Sequence, residues 1–520
     1  MARTLMIQGT SSSSGKSLLV TALCRIFARQ GLRVAPFKAQ NMSNNAAVCP
    51  DGSEIGRAQA VQAIAAGIEP QADMNPILLK PEADARCQVV LNGRAWRTVA
   101  AREYYRYKSQ LWTAVTAALD RLRAHFDLVV IEGAGSPAEL NLKAGDLVNM
   151  AVARYAQSPV LLVGDIDRGG IFAQLLGTLW LLPPEEQALV RAMIVNKFRG
   201  DISLFADGVR ILEERSGIPV LGIVPYLDRL RIPDEDSVAI EERKYPLDFH
   251  KVQTALPQGE VEIVVIRLPR ISNFDDFDAL MDEPGVHMRY VSDLGALGSP
   301  HAIILPGSKS TANDLRWLRA QGLANAIQEF AARGGAVVGI CGGYQMLGEV
   351  LRDPLHTESS EEEIAGLGLL PLETVFARDK LTHRVTARIL EGPAWLAPLA
   401  GAVVHGYEIH MGRTEPVASN SSGQRGQPWL CITQRSGASV EVLDGAVSAD
   451  GRIWGCYLHG LFENAHLRRA WLASLGWKNT GEDTQSTRQD AFDALADAVE
   501  SALDMQRLYA ILEIQEENRL

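Results

Sequence analysis

The sequence predicts two doubly wound α/β domains in tandem. Short apolar runs alternate with helical patterns through both halves, and each run is apolar on both faces, as a covered parallel strand requires. Polar or glycine-rich segments follow those runs, at the strand ends where such sheets bind ligands. A length of 520 residues also exceeds what one hydrophobic core serves. We place a first domain at 1–235, a connection of weak periodicity at 236–258, and a second domain at 259–478. A polar stretch and terminal helix then fill 479–520.

In the first half, Leu5-Met6-Ile7-Gln8 is a strand, and Gly9-Thr10-Ser11-Ser12-Ser13-Ser14-Gly15-Lys16-Ser17 follows it directly. A helix begins there, with Leu19, Leu23, Ile26 and Phe27 on one face. Strand, glycine-bearing loop and helix with Lys-Ser at its start form a phosphate cradle. Backbone amides and the helix N-terminus hold phosphates, Lys16 neutralises the β/γ oxygens, and Ser17 is placed to ligate Mg²⁺. The usual pattern has its first glycine at position 10; here Thr10 stands there and Gly9 precedes it.

Strands are expected at 32–37, 127–131, 159–163, 192–195 and 220–224, with helices at 53–67 and, as one long amphipathic element, at 97–126. Polar residues leave several of these strands. Glu132 ends a run of five apolar or acidic-led residues, Asp127-Leu128-Val129-Val130-Ile131, where a carboxylate can hold Mg²⁺ against phosphates. Lys38, Gln40 and Asn41 lie beside the phosphate loop, and Asp165, Asp167 and Arg168 leave a later strand; both groups face the metal, phosphate or acyl acceptor. Asn196 suits a nucleotide contact or a simple turn equally.

The composition narrows the class. Hydrophobic content of 47% and charged content of 22% are those of an ordinary soluble globular protein. A net charge of −11 with no long basic cluster argues against nucleic acid, while leaving room for a local cationic pocket facing a polyanionic small molecule. Six cysteines without a CxxC pair suggest neither zinc nor a disulfide framework. No apolar run approaches the ~20 residues of a membrane span, and residues 1–8 lack the pattern of a signal peptide. A cytoplasmic enzyme is expected; the oligomeric state is not legible.

The Gly-Thr-x4-Gly-Lys-Ser loop, the strand-terminal Glu132-Gly133-Ala134-Gly135 and Asp167-Arg168-Gly169-Gly170 resemble the dethiobiotin synthetase branch of P-loop proteins. The resemblance implies that the first domain phosphorylates a carboxylate with ATP.

The second half begins with strands at 261–268, 286–291 and 301–305. The third ends in Pro306-Gly307-Ser308-Lys309-Ser310-Thr311, which exposes amides that suit an oxyanion donor at Gly307 and Ser308. The run Ala336-Val337-Val338-Gly339-Ile340 then leads into Cys341-Gly342-Gly343-Tyr344-Gln345. A lone cysteine at a strand end is more often a small buried hydrophobe. The two following glycines shift the balance, because they let a substrate approach the backbone at a nucleophile elbow. Gly342 and Gln345 are then candidates for holding the substrate amide. The strand through Trp454 and Cys456 ends in His459, the best-placed base for that thiol; His405 and His410 compete with it. A helix over 491–512 is expected to cap the second domain.

Cys341 with two glycines and a distant strand-end histidine resembles class I glutamine amidotransferases over roughly residues 260–470. Most of that class carry Glu two residues after the histidine; here Leu461 stands there and Glu463 is poorly spaced to replace it. A Cys–His dyad without a third member is the pattern of the branch holding cobyric acid and cobyrinic acid diamide synthases. Ser272-Asn273-Phe274-Asp275-Asp276-Phe277-Asp278 and Tyr407-Glu408-Ile409-His410-Met411-Gly412 favour the cobyric acid synthase family. That resemblance implies a glutamine-hydrolysing ATP-dependent amidoligase, acting on the b, d, e and g carboxylates of the corrinoid adenosylcobyrinic acid a,c-diamide. Mg²⁺ would be the cofactor, with ATP and glutamine as co-substrates. The sister a,c-diamide synthase, or another acid amidoligase of the same branch, is the alternative enzyme. A partitioning-type ATPase switch would leave Cys341 and His459 without purpose.

Overall fold

The structure, a computed structural model, describes residues 1–83, 86–227, 256–417, 426–478 and 488–514. Most of the expected 236–258 connection, and the polar stretch at 479–487, lie outside the described residues.

Six parallel strands form the first sheet, in the order Val220–Pro225, Val190–Phe198, Val160–Asp165, Arg3–Gly9, Leu128–Glu132 and Val34–Phe37. Their apolar runs are buried from both sides, as expected: Leu5 and Ile7 face one cluster, Met6 another. Because Arg3–Gly9 lies centrally, between Val160–Asp165 and Leu128–Glu132, the loop after it opens among three strand tips.

A second sheet orders Val286–Val291, Val261–Ile266, Ala302–Leu305, Ala336–Ile340 and Ile453–Cys456 in parallel, with Ala446–Val447 antiparallel at the edge. Ala336–Ile340 and Ile453–Cys456 are neighbours, so their exits, Cys341 and His459, emerge side by side.

Three readings need correction. The single helix over 97–126 is a strand, Arg94–Ala100, followed by a short turn of helix and then Lys108–His125. The strand closes a four-stranded sheet with Gln40–Met42, Ile77–Ala83 and Arg86–Leu91. Helical periodicity resides only in Leu111, Val115, Ala118, Leu119 and Leu122, and the reading carried it too far upstream. Second, the helix expected from residue 53 starts at Arg57, after a short strand, Glu54–Gly56. Third, the C-terminal helices Arg488–Ala502 and Met505–Leu512 do not cap the second domain. Leu495, Val499, Leu503 and Leu508 pack in one cluster with Leu5, Leu19 and Leu23 of the first. Arg25 fixes this docking with a two-pronged pair to Asp493, at 2.8 and 2.9 Å.

A mostly antiparallel sheet inserted between Cys341 and His459 was not expected. Its long strands Leu372–Ile389 and Val403–Pro416 pair with each other, and Leu430–Arg435 and Ala438–Asp444 extend it. The long pair reaches the first domain. Tyr407 and Ile409 share an apolar cluster with Ala46, Val48, Leu78 and Val90. Lys380 and Lys80 converge on the buried carboxylate of Glu54, with Lys80 at 2.6 Å. Burial opposes the charge on Glu54, and the two ammonium groups more than offset it, holding the carboxyl well below its usual range.

Candidate functional site

The first site grows out of the loop between Gly9 and Lys16. Gly15 adopts φ +92°, and a Cβ there would lie 2.1 Å from Asn196 Nδ2. Only glycine allows that turn and that approach. Asn196 donates to the Ser14 carbonyl at 2.8 Å, and Lys197 donates to the Ser13 carbonyl at 2.6 Å and to Asp165 at 2.9 Å. Asn196 and Lys197 thus brace the loop from one strand tip, and Asp165 holds Lys197 from the neighbouring one. Lys16 arches over the loop onto the carbonyls of Ser11 and Gly135, at 2.9 and 3.2 Å. Thr10 donates to Gln174 at 3.1 Å.

Glu132 is fully buried at the next strand tip. Its Oε1 accepts from Ser17 at 2.9 Å and pairs with Lys38 Nζ at 2.8 Å, while Oε2 accepts from Gln62 at 2.5 Å. Ser17, Lys38 and Glu132 are therefore one cluster. The side-by-side hydroxyl and carboxylate oxygens are hard donors that fit a divalent cation completed by phosphate and water. Gln40 and Asn41 are engaged elsewhere, Gln40 by Tyr104 and Asn41 by Gln59. Asp167 pairs with Arg199 at 2.8 Å, and Arg168 leans on Asp165 at 3.7 Å, both at the rim.

The second site is built at a strained corner. Cys341 has φ +51° and ψ −108° between the strand Ala336–Ile340 and the helix Gly342–Leu347. A residue with a side chain rarely adopts that backbone, and holding it there costs on the order of 1–3 kcal/mol. Close packing enforces the corner: a Cβ on Gly343 would meet the Leu305 carbonyl at 1.9 Å. The Cys341 amide donates to the Cys456 carbonyl at 2.9 Å, tying the corner to the strand that delivers His459.

The Cys341 sulfur donates to the Ile409 carbonyl at 3.5 Å, and His459, 1% exposed, lines the same pocket. Its Nδ1 contacts Asp276 Oδ2 at 2.7 Å, which leaves Nε2 for the thiol, and the other Asp276 oxygen accepts from the Gly460 amide at 2.8 Å. Burial opposes a charged ring, but the Asp276 carboxylate and the Cys341 sulfur outweigh it and push the imidazole up to about 10. The structure thus adds a carboxylate to the expected pair. Asp276 lies far upstream of His459 in the chain, and no spacing signal links them. The Tyr407 ring stacks on His459 at 5.3 Å, 20° from parallel.

The expected amide-binding residues converge here too. Ser308 and Gln345 line the pocket around Cys341 together with Thr311 and Ser272. A Cβ on Gly342 would lie 2.9 Å from the Ser308 amide, and one on Gly307 would lie 2.9 Å from the His459 ring. Gln345 is oriented by Thr311 at 2.9 Å and Tyr457 at 3.2 Å. His410 also lines this pocket but stacks on Tyr457 at 3.7 Å and is held by the Gly412 carbonyl; His405 is exposed.

Comparison with known proteins agrees with this architecture. Residues 5–239 match the CobQ/CobB/MinD/ParA nucleotide binding domain, and residues 262–467 match the CobB/CobQ-like glutamine amidotransferase domain. Cobyric acid synthase of Chloroflexus aurantiacus is 55% identical over 501 residues, covering 96% of this chain and 97% of its own. The Chloroflexus aggregans protein of that name is 54% identical, covering 98% of this chain and 99% of its own. That of Moorella thermoacetica is 49% identical, covering 99% and 98%. With a phosphate cradle, a cysteine elbow and end-to-end similarity on this scale, the chain belongs to the cobyric acid synthase family.

Proposed function

We propose that this chain uses ATP and glutamine to amidate the b, d, e and g carboxylates of adenosylcobyrinic acid a,c-diamide, giving adenosylcobyric acid. The observation that carries the reading is the pairing, in one chain, of Cys341 and His459 on one pocket with the phosphate loop and Glu132. Neither half suffices alone, because a carboxylate is a poor electrophile and ammonium is no nucleophile.

At the second site, the Cys341 thiolate attacks the glutamine side-chain carbonyl. Nearby amides of the Gly307–Ser308 and Gly342 segments are suited to the oxyanion. His459 donates its Nε2 proton to the leaving nitrogen, and ammonia departs, leaving a thioester. The ring then takes a proton from water, whose oxygen attacks the thioester and releases glutamate. Asp276 keeps the ring in the tautomer and orientation both steps need.

At the first site, Lys16 and the loop amides gather charge that develops as a substrate carboxylate oxygen attacks the γ-phosphorus and ADP leaves. Mg²⁺, held by Ser17 and Glu132, would neutralise phosphate charge there. Ammonia attacks the acyl phosphate carbon, and inorganic phosphate leaves. The reaction is read as cytoplasmic, without nucleic acid or membrane partners; no helix among the described residues is long and apolar enough to cross a membrane.

Incubation with ATP, Mg²⁺, glutamine and the a,c-diamide, followed by mass measurement, tests the assignment. Four added amides are expected. Amidation of cobyrinic acid at a and c instead would give the chain to the sister reaction.

A further inference from the structure

The glutamine-hydrolysing site is completed by a residue of the other domain. Arg57 opens the helix Arg57–Ala65 in the nucleotide-binding half. Its guanidinium reaches across to Asp275, Nη2 to Oδ2 at 2.5 Å, with only 15% of the arginine side chain and 1% of the aspartate exposed. Asp275 adjoins Asp276, the carboxylate on His459 Nδ1. The same guanidinium lies 5.9 Å from the centroid of Tyr407, the ring stacked on His459. Arg57 therefore pairs with the residue adjoining the carboxylate at the imidazole's edge and lies over the ring stacked on its face.

The electrostatics make this contact consequential. Asp275 and Asp276 are consecutive and both 3% exposed. Two adjoining carboxylates in a buried site disfavour each other's ionised form, and each unpaired charge carries a desolvation cost. A cation on Asp275 offsets that repulsion, so Asp276 is kept for the histidine and the Gly460 amide. Nearby backbone contacts hold the same seam: Asn273 accepts from the Ala46 amide at 3.0 Å, and Asn45 accepts from the Phe274 amide at 3.3 Å. One turn and a half along its helix, Gln62 grips Glu132 at 2.5 Å.

We infer that Arg57, contributed by the nucleotide-binding half, is a positioning residue for His459, acting through Asp275 and Tyr407. Hydrolysis of glutamine then requires the helix Arg57–Ala65 to be seated against the second domain. This rests on the reading of Cys341 and His459 as the glutamine-hydrolysing pair.

The experiment compares the full-length chain with Arg57→Met, Arg57→Lys, Asp275→Asn and the double variant Arg57→Met/Asp275→Asn. Three rates are followed: amidation driven by glutamine, amidation driven by a high concentration of ammonium, and alkylation of Cys341 by iodoacetamide, located by peptide mass. Arg57→Met is expected to lower the glutamine-driven kcat at least tenfold, with KM for glutamine within about threefold, and to slow alkylation of Cys341. Ammonium-driven amidation stays within about twofold, which also shows that the variant folds. Arg57→Lys restores part of the loss. The double variant is no worse than Arg57→Met alone, because both changes remove one ion pair.

Equal losses with glutamine and ammonium would overturn the inference, as would unchanged alkylation with a glutamine-driven rate near that of the parent. Failure of the underlying reading is distinguishable. In that case Cys341→Ala would leave glutamine-driven turnover intact in the parent background.

Discussion

Both candidate sites sit at the C-terminal tips of parallel strands, yet they place their unusual backbone on different residues. In the phosphate loop the left-handed residues are Ser13 and Gly15, and the side chains of Lys16 and Ser17 follow in relaxed helix. In the thiol site the left-handed residue is Cys341 itself, and glycines come after it. A cradle for an anion offers amides, so residues ahead of the polar side chains adopt the awkward geometry, Gly15 at little cost. A nucleophile must present its own side chain at the apex, so the strain cannot be passed to a neighbour. Charge is arranged differently as well. Glu132 is encircled by Lys38, Ser17 and Gln62, whereas His459 receives a single carboxylate on one nitrogen and shares its pocket with the Cys341 sulfur.

The contrast between a binding cradle and a reactive corner can be broken most severely at Lys16. Lys16→Ala is expected to lower amidation with either nitrogen source by roughly 10²–10³-fold or more, since phosphoryl transfer loses its principal cation. Persisting ammonium-driven amidation, read by mass, would show that the loop does not serve the transfer. Cys341→Ala separates the two sites. Glutamine-driven amidation falls to background, and ammonium-driven amidation stays within about twofold, because only the nitrogen source is lost.

A smaller change sharpens the account of the histidine. Asp276→Asn is expected to lower glutamine hydrolysis by about 10–100-fold while sparing ammonium-driven amidation. It also carries a stability signature. His459 is raised to about 10 in the folded protein, against about 6.5 in an unfolded chain. Its contribution is fully present below about pH 6.5 and is lost as pH rises through 10. Urea midpoints of the parent should fall across that window, and Asp276→Asn should flatten the fall.

Much of the molecule is legible from residue order, because strand tips announce themselves. Apolar runs leading to Glu132, Cys341 and His459 read as strands whose tips hold these residues, and the structure has all three there, with Lys16 and Ser17 opening the helix after the loop. What escaped is what depends on distant segments meeting. Asp276 reaches His459 through tertiary packing alone, and Gln62 reaches Glu132 from a helix whose own pattern says nothing of carboxylates. The hairpin of Leu372–Ile389 and Val403–Pro416 escaped because its exposed and buried positions do not alternate cleanly along its middle. The terminal helices show an apolar stripe in Leu495, Val499 and Leu508, but a stripe does not name the surface that covers it.

That last docking has a topological consequence. Since the end of the chain returns to Leu5, Leu19 and Arg25, the thiol-bearing unit is an insertion held by both of its ends, rather than a bead hung from a single string. A cut anywhere near residue 256 therefore would not release two independent proteins. The amino-terminal piece would leave its own outer layer, Leu495 and Val499 among it, on the other fragment.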